Sequence, residues 1–156
     1  MTARPWLLLR KDLSVPVKAA PVPVGHRIRM LVDGDERAVH ALLSRTYADA
    51  GDALPPLPQW WAKLSGDAEF SPDLCFLAVD GMGKIAGVAQ CWTSFFLKDL
   101  AVRADARRLG LGEALLTHCF AVFRARGADH LDLKVEVDNP TGALRLYERC
   151  GMKVVA

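Results

Sequence analysis

The sequence predicts a mixed α/β fold with antiparallel strands first and a strand–helix–strand crossover after them. Three observations predict it. Apolar and polar residues alternate over 26–32 and 131–137, the pattern of half-buried strands. A turn sequence with two glycines, residues 80–84, joins two apolar runs into a hairpin. Apolar residues recur at helical spacing over 111–122. Together these patterns indicate the α/β class with an α+β mixed sheet.

The first part of the chain divides into an extension and the start of a single domain. Residues 1–24 are expected to be an N-terminal extension, which can form an extra strand near Trp6 before prolines interrupt it. Residues 25–156 are expected to be one domain. After its first strand, an aspartate can cap a helix with one apolar face. A short helix over 59–64 follows a proline-rich loop.

The second part supplies the remaining elements. The hairpin strands cover 75–79 and 85–92, and another apolar run of strand length covers 95–102. The helix that begins near Gly110 is expected to stop at Gly127. After the strand 131–137, apolar residues at helical spacing and a short apolar tail predict a last helix and a last strand.

Composition excludes several classes of protein. The 156 residues carry a formal net charge of +2, which argues against a dedicated nucleic-acid-binding protein. No apolar stretch approaches the roughly 20 residues of a membrane helix, so we expect no membrane partner and a cytoplasmic location. The four cysteines form no CxxC pair and no zinc-like spacing with histidine, so no metal site is expected.

A candidate anion site lies at the start of the 111–122 helix. The first turn of a helix presents unpaired N–H groups and the positive end of its dipole, which suits a pyrophosphate. Gly110 and Gly112 permit close approach of the backbone, and Arg107 and Arg108 add positive charge. Taken alone, this fragment could equally be a glycine-containing helix start with solvated arginines. A dinucleotide-binding motif is excluded because position 115 is leucine.

The segment 97–155 carries a series of motifs in a definite order. A strand that ends in Leu-Ala-Val at Val102 is followed by an Arg-x-x-Gly-x-Gly motif that ends at Gly112, a helix, a strand and then Asn139. Ala143 and the run Leu-Tyr-Glu-Arg-x-Gly over 146–151 come next. In these features the segment closely resembles the GNAT superfamily of N-acetyltransferases. The order and spacing of these features make a chance match very improbable, whereas the upstream half carries no comparable motif.

The resemblance implies a GNAT-like acyl-CoA N-acyltransferase fold. In that fold, strands 95–102 and 131–137 run parallel and splay apart at their C-terminal ends, with helices on both faces of the sheet. Acetyl-CoA, the acetyl donor, would lie in the gap, with its pantetheine arm against the first strand and its pyrophosphate at the helix start. The implied cofactor-binding residues are Leu100, Ala101, Val102, Arg107, Arg108, Leu109, Gly110, Leu111, Gly112, Glu113 and Asn139.

The catalytic assignments are less direct. Tyr147 matches the family's general acid, and the alternative is a core aromatic residue on an amphipathic helix. The positions at which family members carry a glutamate base hold Phe96 and Lys98, and Asp99 should face the other way by strand alternation. Glu136 is the better candidate base, acting through water, although a solvated strand residue explains it at least as well.

The expected function is acetyl transfer from acetyl-CoA to a primary amine of a small molecule. Two tryptophans at 60–61 can line the acceptor site or pack in the core. A protein N-terminus or lysine is an alternative acceptor. A catalytically silent domain that binds acyl-CoA as a sensor or assembly module is a second class of function. The sequence also allows a homodimer.

Overall fold

The computed structural model describes residues 5–137 and 142–156. Within these residues, seven strands and four helices follow one another, and a short 3₁₀ turn at Ala104–Ala106 precedes the third helix. In chain order the elements are β1 (Trp6–Asp12), β2 (Arg27–Met30), α1 (Glu36–Asp49), α2 (Leu57–Ser65), β3 (Phe70–Val79), β4 (Ile85–Trp92), β5 (Phe96–Val102), α3 (Leu111–Ala125), β6 (His130–Glu136), α4 (Ala143–Arg149) and β7 (Lys153–Val154).

All seven strands belong to one mixed sheet with the order β2-β3-β4-β5-β6-β1-β7. Neighbouring strands are antiparallel except β5 and β6, which are parallel and joined through α3. The predicted fold class is therefore confirmed. Hairpin formation by β3 and β4 follows from the turn at 80–84, where the N–H groups of Met82 and Lys84 both donate to the Asp80 carboxylate.

Helices cover both faces of the sheet and create two apolar cores. One face packs against α3, whose buried side chains include Leu115, Leu116 and Phe120. The other face packs against α1 and α2 through Val39, Leu43 and a set that includes Trp60. These residues recur at helical spacing, so each helix turns one apolar stripe to the sheet. None of the described helices is long and apolar enough to cross a membrane.

The N-terminal strand β1 lies between β6 and β7. It pairs with β6 along its whole length, from Trp6 opposite Glu136 to Asp12 opposite His130. Within this ladder, the Arg10 guanidinium donates to both carboxylate oxygens of Asp132, at 2.7 and 2.8 Å. On its other edge, β1 pairs with β7, with Leu9 opposite Val154. The division of the chain at residue 24 stays a prediction.

Replacing Leu9 tests how far β1 contributes to the stability of the sheet. Leu9 is fully buried, so Leu9→Ala should lower the free energy of unfolding by about 2–5 kcal/mol through lost contacts and a cavity. Val24→Ala is the matched control in the same N-terminal region, because Val24 is 100% exposed. Its effect should stay within about 0.5 kcal/mol. Equal effects in urea unfolding would contradict a structural role for β1.

Candidate active site

A gap opens between the two parallel strands at the centre of the sheet. Strands β5 and β6 pair only at Phe96 opposite Asp132, and the ladder goes no further. On its other edge β5 stays paired with β4 as far as Val102 opposite Gly87. Because antiparallel residues alternate in the direction of their amide groups, Leu100 and Val102 direct backbone N–H and C=O groups toward the gap.

The helix α3 begins at one end of this gap. Its first intrahelical bond runs from the Ala114 N–H to the Gly110 carbonyl, so the preceding N–H groups have no partner within the helix. Gly110 has φ +95° and no side chain caps the helix. Arg108 also has positive φ, +66°, which is uncommon for a residue with a Cβ. Alternating left-handed positions in this loop suit a concave anion site formed by backbone amides.

A cavity of about 820 Å³ connects the gap to this helix start. We call it the gap cavity. Ten of the residues predicted for the site line it: Leu100, Ala101, Val102, Arg107, Arg108, Gly110, Leu111, Gly112, Glu113 and Tyr147. Leu109 and Glu136 are not among its lining residues, and Asn139 lies outside the described residues. The sequence motif therefore corresponds to one continuous surface.

Gly112 has a role in packing, because a side chain there would crowd α4. A Cβ at this position would lie 3.3 Å from the Leu146 side chain and 3.9 Å from that of Val102. The missing side chain allows α4 to approach the start of α3 closely. The sequence argument for Gly112 considered only the close approach of phosphate.

Arginines supply the positive charge around the gap cavity. Arg107, Arg108, Arg145 and Arg149 all line it. The Arg107 Nε donates to the Val102 carbonyl at 3.2 Å, and this bond holds its guanidinium at the end of β5. The Arg149 Nε lies 3.9 Å from the Glu113 carboxylate. Open amides and several guanidinium groups in one place fit the pyrophosphate of a coenzyme A thioester.

Tyr147 lies at the inner part of the cavity on α4. Its side chain is only 8% exposed, and burial together with the nearby charge of Asp99 raises its pKa to about 12. The phenol therefore stays protonated throughout the neutral range and can donate a hydrogen bond. Tyr147 packs in the core on the α3 face of the sheet and also lines the gap cavity.

A β-bulge in β5 determines which side chains face α1. Gln90 pairs with Asp99 and the next residue of β4, Cys91, pairs with Leu97, so Lys98 is an extra residue. Asp99 then shares the face of Ala101, whereas Leu97 packs in the opposite core. Without the bulge, Asp99 and Leu97 would share one face.

Asp99 is a buried carboxylate in a small polar cluster. It accepts a hydrogen bond of 2.6 Å from the Tyr47 hydroxyl and one of 2.8 Å from the Lys98 ammonium. Burial and the charge of Asp99 raise the Tyr47 pKa above its usual value. Directly across the ladder lies Gln90, 1% exposed, whose Oε1 has no hydrogen-bond partner among the described residues.

Sequence reasoning missed this cluster. Strand alternation alone could not reveal a bulge, and Tyr47 comes from α1, far away in sequence. The available signal was an aspartate in the middle of the apolar strand Phe-Leu-Lys-Asp-Leu-Ala-Val, since a buried carboxylate needs partners.

The other candidate residues, Glu136 and the two tryptophans, do not line the gap cavity. Glu136 lies at the end of β6 opposite Trp6 and away from the lining of the gap cavity. Trp60 is buried in the core between α1, α2 and the sheet, and its ring lies 5.2 Å from that of His40. Trp61 meets Phe70 edge to face at 5.8 Å. Both tryptophans therefore pack in or against this core, which was the alternative to lining an acceptor site.

The fold is similar to that of a GCN5-related N-acetyltransferase. A sequence profile of the Acetyltransferase (GNAT) family matches residues 36–152, well over half of the chain. The chain belongs to this family. The GCN5-related N-acetyltransferase of Sphaerobacter thermophilus superposes on 96% of this chain with a TM-score of 0.80 and 30% identity.

Curated relatives carry a more specific name. Mycothiol acetyltransferase of Beutenbergia cavernae is 32% identical over 88% of this chain, and that of Clavibacter sepedonicus is 37% identical over 74%. The chain covers 48% and 43% of these two proteins. It also covers 48% of the Sphaerobacter chain. This chain therefore spans about half the length of the relatives that it matches.

The titration of the two tyrosines tests the described burial. Both should ionise above the ordinary phenol pKa of about 10 in the folded protein, and near 10 in denaturant. Ultraviolet absorbance of tyrosinate measures both. Since the unfolded chain loses these protons first, the free energy of unfolding should fall as pH rises from about 10 toward 12. A native tyrosine that titrates at 10 would contradict the burial of one phenol, and Tyr147→Phe would show which.

Proposed function

We propose that this chain transfers the acetyl group of acetyl-CoA to a primary amine of a small molecule. One observation carries the proposal: a single cavity joins an open helix N-terminus, an unpaired strand edge and a buried phenol. These three features match the pyrophosphate, the pantetheine arm and the thioester sulfur of one extended donor. The name of the curated relatives, mycothiol acetyltransferase, supports a small-molecule acceptor.

Acetyl transfer makes three chemical demands. The amine must be neutral when it attacks the thioester carbonyl, the oxyanion needs a donor, and the sulfur that leaves carries negative charge. The Leu100 backbone N–H at the gap edge is the proposed oxyanion donor. Attack of the amine forms the C–N bond and a tetrahedral oxyanion, the amine proton passes to a base, and collapse of the oxyanion breaks the C–S bond and releases the coenzyme A thiolate.

Tyr147 is the proposed donor to the departing sulfur. Its pKa of about 12 lies above the roughly 8.5 of an ordinary thiol, so complete proton transfer to a thiolate is uphill. A hydrogen bond from the phenol to the developing charge needs no such transfer. We therefore assign Tyr147 a stabilising hydrogen bond rather than full acid catalysis.

Two carboxylates compete for the role of proton acceptor. Glu136 remains the proposal from sequence. Asp99 has stronger support, because it is adjacent to Leu100, it raises the Tyr147 pKa, and it lies beside the unpartnered Gln90 oxygen. An ammonium that approaches from the α1 side would find buried oxygen acceptors there. Asp99 does not line the gap cavity itself, so its proton would arrive through a water molecule.

Binding of the donor tests the proposed pyrophosphate site. Arg108→Gln removes one exposed positive charge and should raise the Kd of acetyl-CoA about tenfold, as expected for loss of one charged hydrogen bond. Arg126→Gln, at the far end of α3, is the matched control and should leave Kd unchanged. Calorimetry gives both values. Equal affinity in wild type and Arg108→Gln would place the pyrophosphate elsewhere.

Turnover separates the catalytic roles from binding. With a panel of primary amines and a thiol-release assay, Tyr147→Phe should lose about 10- to 100-fold in kcat through the missing hydrogen bond. Asp99→Asn should lose about 100-fold or more if Asp99 accepts the proton, and Glu136→Gln should then have little effect. Asp73→Asn, an exposed aspartate on β3, is the control.

Each outcome of this assay has a definite meaning. The reverse pattern, with Glu136→Gln inactive and Asp99→Asn active, would assign the base to Glu136. Acetyl-CoA binding without turnover of any amine by the wild type would contradict acetyl transfer and favour a silent acyl-CoA-binding module.

A further inference from the structure

A second cavity lies beside the gap cavity, on the α1 face of the sheet. It measures about 730 Å³ and lies between α1, the end of β2, the turn after β3 and the end of β5. We call it the basic cavity. It shares Thr46, Val102 and Arg107 with the gap cavity, so the two are contiguous. Of the motif residues named above, only Val102 and Arg107 line it.

Positive charge dominates the wall of the basic cavity. Its basic lining residues are Arg29, Arg45, Lys84, Arg103 and Arg107, against two acidic ones, Asp35 and Asp105. The Arg29 guanidinium is held by Asp35 through two bonds of 2.7 and 3.0 Å. Arg103 donates to Asp105 and, at 3.2 Å, to Asp80. The carboxylates therefore neutralise two of the five cations.

The remaining cations are available to a ligand. Arg45 and Lys84 make no described side-chain hydrogen bond or ion pair, and Arg107 lies 3.9 Å from its nearest carboxylate, Asp49. Arg45 projects from α1 and Lys84 from the turn after β3, so they stand on two different elements of the same cavity. Arg45 and Lys84, which have no carboxylate partner among the described residues, and Arg107, whose ion pair with Asp49 is long, attract an anion to this concave surface.

The cavity also has an apolar wall. Ala38, Ala41 and Leu42 line it from α1, and Ile85 and Val102 line it from β4 and β5. An inorganic ion alone would leave these side chains without contact. A ligand with an organic body and an anionic end would use both surfaces.

We propose that the basic cavity binds a small organic anion, with its phosphate or carboxylate on Arg45 and Lys84 and its body against the α1 alanines. Binding of such an anion is argued from the lining residues alone. Its link to catalysis rests on the proposed acetyl transfer. In that reaction the anionic group would belong either to the acceptor amine or to the 3′-phosphate of the donor. Both sources present an anionic oxygen group to the cations.

Phenyl phosphate is a suitable probe, with phenol as its neutral counterpart. In the full chain, titration should shift the backbone NMR signals of Ala38, Ala41 and Leu42, and phenol should shift them far less. The double variant Arg45→Gln/Lys84→Gln should raise the Kd of phenyl phosphate at least tenfold, because each cation contributes a charge-assisted bond. Arg37→Gln, an exposed position on the same helix outside the cavity, should leave it unchanged.

Two results would overturn the proposal. One is an unchanged Kd in the double variant. The other is an equal loss in Arg37→Gln, which would show that only the overall charge matters. Neither measurement requires turnover, so a catalytically silent chain would still give the expected binding. Conversely, failure here would leave the acetyl transfer assay unaffected.

Two further comparisons, of donor affinity and of acceptor preference, identify the source of the anion. If the 3′-phosphate occupies the site, the double variant should lower the affinity for acetyl-CoA and spare acetyl-dephospho-CoA. If the acceptor supplies it, the wild type should prefer glucosamine 6-phosphate over glucosamine in kcat/KM, and the double variant should lose that preference. Either result supports an organic anion site.

Discussion

The end of pairing between β5 and β6 is the constraint on which the site depends. Two parallel strands that stayed in register would satisfy each other's amides and leave no room between them. Here a single residue pair joins the strands, and beyond it the Leu100 N–H and C=O have no backbone partner among the described residues. Unpaired backbone inside a folded domain is costly unless water or a ligand satisfies it. The gap is thus a surface shaped for an extended polar chain, and the loop into α3 continues that surface.

Sequence accounts well for the elements and for one side of the site. Strand alternation, the hairpin turn and helical spacing located the sheet strands and helices within a few residues. The candidate anion site could be predicted from sequence because glycine, arginine and a helix start are local features. Ten of the residues predicted for the site line one cavity for the same reason: most lie within two short, motif-bearing segments.

The polar cluster around Asp99 could not be predicted from local sequence. It depends on the extra residue Lys98, which turns Asp99 toward α1 and Leu97 away from it. A bulge is set by how two strands fit together, not by the order of residues in one of them. The partner of Asp99, Tyr47, lies 52 positions away, so only the packing of α1 on the sheet brings the two together. Long-range contacts of this kind leave little local trace.

The place of β1 has a consequence for the order in which the chain can assemble. Arg10 and Asp132 are 122 positions apart, yet they lie side by side in the sheet. During synthesis, β1 must wait for β6 before it finds its neighbour in the sheet. The early hairpin and α1 can form meanwhile, whereas closing so long a loop comes late and slowly. Until then the edges of β1 are open, and a nascent copy on the same messenger could offer it the wrong strand.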